Sequence, residues 1–157
     1  MHDKYIQDIS KSYVDQILAV DPDNPQALII SVYLSEKQKW ENKLKTIQAH
    51  KKTILDRIDE LELLVKTKIT DFSTLENKAY NETFFWEKIV NIFGIKTKTQ
   101  RKIIKLDIEI NKIQEELDKL YIEFDNATEI YNNIYMNPPD TTQYELAMIG
   151  NTLLRPR

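Results

Sequence analysis

Glycine and proline are scarce in this 157-residue chain, which has two of the first and five of the second. Between Gln26 and Phe93 there is neither, and none again between Ile95 and Asn137. A β-rich protein of this length needs many more turn residues, and the alternation of strand and helix patterns typical of α/β enzymes is absent as well. The composition therefore predicts an all-α fold. Cysteine is missing altogether, which excludes disulfides, thiolate metal sites and cysteine nucleophiles. The opening MHDKYIQDIS has no apolar stretch of the kind a secretory signal needs, and the longest near-continuous apolar run, Ala27 to Leu34, is too short to span a bilayer. These features lead us to expect a cytoplasmic protein or a component of a soluble assembly. The net charge of −3 gives no bulk attraction for nucleic acid or an anionic surface.

What is present is heptad order. A first helix is expected over 3–20, with Tyr5, Ile9, Tyr13, Ile17 and Val20 on its apolar face. The DPDNP segment ends it and starts the next helix, with Asn24 as N-cap and Pro25 in the first helical position. From Ile30 the seam runs at alternating gaps of three and four through Tyr33, Lys37, Trp40, Leu44, Ile47, Lys51, Ile54, Ile58, Leu61 and Val65. The same phase continues to Phe93, which predicts one helix over 25–93 with coiled-coil packing. Thr67 to Glu76 carries β-branched residues and a capping box, Ser73 with Glu76, which would suit a break near 70–73. The unbroken phase favours continuity.

Gly94 is placed to end that helix and Thr97 with Gln100 to start another. A return helix over 98–137 then carries its own seam, from Ile103 through Ile110, Leu117 and Phe124 to Ile134. Pro138 and Pro139 stop it, and Asp140, Thr142 and Glu145 start a short last helix over 141–150. So short a link predicts an antiparallel hairpin, an elongated coiled coil with small helices at its N- and C-termini. Folded about that link, the return helix would leave Ile30 to Ile54 to be covered by a terminal helix or a second chain. Charge supports the second chain, because residues 107–129 hold eight acids and two lysines, whereas 36–52 hold six lysines and two glutamates.

A search for chemistry finds little. His2 and His50 have no second ligand in sequence, and no phosphate loop, nucleophile elbow or metal spacing occurs. The expectation is a non-enzymatic protein with no cofactor. Lys51, at a seam position between Ile47 and Ile54, either sets register or reaches out of the interface. The segment SYVDQILAVDPDNPQALIISVYL, residues 12 to 34, resembles the junction between two tetratricopeptide repeats: Val14, Ile17 and Pro22 match the end of one repeat, Ala27, Leu28 and Val32 the start of the next. Serine stands at position 10, where that family prefers a residue like alanine, and no second copy follows. The resemblance implies a helical hairpin and binding to protein.

The strongest functional signal lies at the hairpin tip. Phe85, Trp86, Ile89, Ile92 and Phe93 fill an apolar arc wider than a two-stranded seam requires, with Phe84 and Val90 outside it. Ile95 follows, then Lys96, Lys98, Arg101 and Lys102 with no acid among them. An apolar wedge beside a basic collar suits docking on a protein, the reading preferred here, or on a membrane surface. The expected function is therefore that of a helical scaffold or assembly subunit, bound to protein partners and to itself through its seams.

Overall fold

The computed structural model describes the backbone of residues 2–93 and 98–151, and the side chains of 11–81 and 98–147. It contains four helices, α1 (His2–Val20), α2 (Pro25–Phe93), α3 (Lys98–Tyr135) and α4 (Thr142–Asn151), and no strand among the described residues. The expected fold class is the observed one: α2 and α3 pack on each other as an antiparallel all-α hairpin.

Local chemistry accounts for the helix ends. Asn24 Oδ1 accepts the Ala27 N–H at 3.1 Å, satisfying one of the donors that the first turn of α2 leaves free. Asp140 does the same for α4, accepting from the N–H and the hydroxyl of Thr142 at 3.0 and 2.8 Å. These two bonds hold the Asp140 carboxyl below the usual carboxylate range. Residues 70 to 73 are helical and lie inside α2. The threonine hydroxyls around them turn back along the helix, Thr67 to the Leu63 carbonyl, Thr70 to Lys66 and Thr74 to Thr70, each at 3.0 Å. A hydroxyl bonded to the preceding turn lets a β-branched residue sit inside a helix.

The seam read from the sequence is the buried one. From Ile30 to Ala79 every seam position of α2 is buried or half-buried, and so is every seam position of α3 from Ile103 to Ile134. The helices contribute to two compact units, 1–48 with 129–157, and 49–128. The core of the first joins Val14, Ala27, Ile30 and Ala147, with Ile17, Leu18, Leu34 and Tyr144 against them. Here α1 departs from expectation. Val14 is its buried centre, whereas Val20, expected on the apolar face, is 88% exposed at the edge of the DPDN turn, past the last residue α1 can press on α2. The Tyr5 and Ile9 side chains lie outside the described residues.

In the same unit the Tyr33 and Tyr144 rings stack at 4.2 Å. Burial, then the neighbouring Tyr144, Glu145 and Glu41, raise the Tyr33 hydroxyl above its ordinary pKa. Trp40 donates its indole N–H to the Ile134 carbonyl at 2.6 Å and stacks on Tyr135. The seam from Ile30 to Trp40 is thus covered within the chain, by α1, α4 and the end of α3.

The second unit is a two-helix seam of Ile54, Ile58, Leu61, Leu117 and Ala127, flanked by Val65, Ile113, Leu120 and Phe124. Burying one such aliphatic side chain is worth about 1.5–3 kcal/mol. The facing pairs His50–Glu123, Arg57–Glu116 and Lys68–Glu109 climb α2 while they descend α3. That direction is antiparallel, but the register is not the expected one. A tight fold about residues 94–97 would set Arg57 level with Ile134. Arg57 meets Glu116 instead, so α3 lies displaced towards the start of α2.

Candidate functional site

The tip residues are placed unevenly. Phe84, Phe85, Trp86, Ile89, Val90 and Phe93 all belong to the last turns of α2, and their side chains lie outside the described residues, as do Ile95 and Lys96 altogether. Lys98, Arg101 and Lys102 open α3 and are exposed. No acid stands in the first turn of α3. Cations at a helix N-terminus oppose the macrodipole, at a cost of about 0.3–1 kcal/mol each. The basic collar therefore does not serve the stability of the helix that carries it.

The start of α3 is fixed by a groove of about 450 Å³ lined by Asp71, Thr74, Leu75, Lys102, Leu106 and Glu109. Lys102 is therefore level with 71–75. Thr99, in the first turn of α3, is buried at 8% exposure. The side chains of Trp86, Ile89 and Phe93 lie outside the described residues.

Below the groove the hairpin carries a ladder that heptad spacing explains. Glu109, Glu116 and Glu123 recur every seventh residue on α3. Glu109 meets Lys68 at 2.7 Å, Glu116 meets Arg57 at 2.9 Å and Glu123 meets His50 at 3.2 Å. The Lys68 hydrogen bond and charge hold Glu109 below the usual carboxylate range. Hydrogen bonds that it donates to Glu116 and Glu60 push the Arg57 guanidinium further up. Tyr121 donates to the Glu62 carboxylate, which raises its own hydroxyl. Exposed pairs of this kind add little stability, but a slip of the helices separates them, so they favour one register.

Lys51 sits half-buried at its seam position with Nζ 5.1 Å from the centre of the Phe124 ring. A cation over an aromatic face is attracted by the ring quadrupole, so the ammonium has a partner without leaving the seam. His50 and Lys51 belong to the lysine-rich stretch, and Glu123 and Phe124 to the acid-rich one. The charge complementarity seen in the sequence is met in part within one chain.

Sequence reasoning missed the glutamate ladder, although its seven-residue spacing was there to find. It also missed the Trp40 bond, for which no local signal exists. Among the described residues no three His, Asp or Glu side chains converge as metal ligands would, and no helix is long and apolar enough to cross a membrane. Comparison with protein-family models, with curated proteins and with solved structures gives no match, so any account of function rests on this chain's own geometry.

Proposed function

We propose that the chain is a non-enzymatic helical scaffold or assembly subunit that docks a protein partner on the last turns of α2, through Trp86, Ile89 and Phe93. What supports this reading is the character of the tip: Trp86, Ile89 and Phe93 recur on one face of the last turns of α2, and α3 opens with an exposed basic collar that does not serve its own helix. If uncovered by the chain itself, three large apolar side chains forgo on the order of 5 kcal/mol of burial, which a partner can supply. The test is a photo-crosslinking residue at position 86, compared with one at Leu63, which is 67% exposed on another face. A discrete protein adduct at 86 alone is expected. Replacing Ile89 and Phe93 by serine in the chain that carries the crosslinker at 86 should abolish it while helicity and Tm stay nearly unchanged. A double variant that melts far below the parent would show these residues to be core and end the proposal.

One observation favours a second reading, docking on a membrane surface: Lys98, Arg101, Lys102 and Lys105 are all exposed on the first turns of α3. Each lysine or arginine near an anionic bilayer is worth about 1 kcal/mol. Flotation with anionic but not neutral liposomes supports that reading, and no flotation with either discards it.

Within the hairpin, Lys51 is the residue proposed to set register. A polar side chain at such a position lowers stability and restricts pairing. Lys51→Ile is therefore expected to melt at a higher temperature and to broaden the distribution of masses in solution. A stabilised variant of one unchanged mass would leave the lysine with its Phe124 contact alone.

A further inference from the structure

The hairpin carries a second periodic stripe, and it faces solvent. On α3, Ile104, Ile108, Asn111, Glu115, Asp118, Ile122 and Asp125 follow one another at gaps of four and three, and every one is exposed. Ile108 and Ile122 are 50% and 62% exposed. Three other acids of α3 are engaged by His50, Arg57 and Lys68, whereas this stripe is acidic, apolar and turned outward. Its central motif is an isoleucine, Ile122, bracketed by Asp118 and Asp125.

The complementary motif lies in the other unit. A groove of about 440 Å³ beside α2 has Ile47 and Ile134 as its apolar part and Lys39, Lys43, Asn42 and Thr46 around them. Lys39 and Lys43 are exposed and one helical turn apart. We infer that the occupant of this groove is a second copy of the chain, presenting the Asp118–Ile122–Asp125 face of its α3. Ile122 enters against Ile47 and Ile134, and the two aspartates meet Lys39 and Lys43. Opposite charge and matching apolar centres supply both attraction and orientation. Self-association then runs through the outer flanks and leaves the internally occupied seams undisturbed. The inference is independent of the tip.

Sedimentation equilibrium of the whole chain tests it, at protein concentrations up to about 1 mM. The expected result is a mass above the 18.6 kDa of one chain, rising with concentration and falling in about 1 M salt, where charges are screened within ~3 Å. Lys39→Glu with Lys43→Glu should raise the midpoint for association about tenfold or more, because like charges then face each other. Asp118→Lys with Asp125→Lys should do the same. The chain carrying all four changes should associate again, which a merely unfolded variant cannot do, and circular dichroism checks that each variant keeps its helicity. A wild-type chain that stays at 18.6 kDa throughout overturns the inference. So does an oligomer that the reversals leave intact, since another face would then hold it.

Discussion

Leu61→Ala should lower the stability of the second unit by about 3 kcal/mol, within the 2–5 kcal/mol typical of buried leucines cut to alanine. Leu63→Ala, two residues away, should change it by less than about 0.5 kcal/mol. Leu61 is 2% exposed and shares a core with Ile58 and Leu117, whereas Leu63 is 67% exposed. The contrast is large because this core is one helix against one helix. Among the described residues the cluster has no third layer of side chains to relax into the space that a leucine vacates, so the cavity persists. Urea unfolding followed by circular dichroism gives both numbers. Equal losses at the two positions would mean that the seam phase assigned to α2 is wrong.

Trp40→Ala should be as damaging to the first unit, by about 3–5 kcal/mol, and for two separable reasons. The last four carbonyls of a helix have no donor within it. The Ile134 carbonyl, close to the end of α3 at Tyr135, accepts the Asn137 N–H at 3.2 Å and takes the Trp40 indole as a second donor at 2.6 Å. The ring also stacks on Tyr135, which itself stacks on Tyr131. Trp40→Phe keeps most of the ring and loses the donor, so it should cost about 1–2 kcal/mol, near the value of one hydrogen bond. If alanine and phenylalanine proved equally mild, the end of α3 would not be anchored on Trp40 in solution.

The two expectations draw on different kinds of legibility. That Leu61 is inside and Leu63 outside could be read from spacing alone, because a side chain's face on a helix depends only on its position in the 3.6-residue turn. The caps at Asn24 and Asp140 were legible for the same reason: each bonds within three residues of itself. Val20 failed this local rule, since whether a residue at the end of a helix is covered depends on how far its neighbour extends. That Trp40 meets Ile134 could not be read at all. A heptad seam fits its partner equally well after a slip of seven, so apolar periodicity fixes which faces meet but not which residues do.

For the candidate site the same division holds. Spacing along the chain was enough for the helices, their seams, the apolar residues from Phe84 to Phe93 and the basic collar of Lys98, Arg101 and Lys102. That Arg57 faces Glu116, and that Lys102 is level with Asp71 to Leu75, needed the folded chain. Composition and spacing are properties of neighbours along the chain. Register is decided by pairs 41 to 94 residues apart, whose energies add only once both helices are formed and one alignment satisfies the most of them.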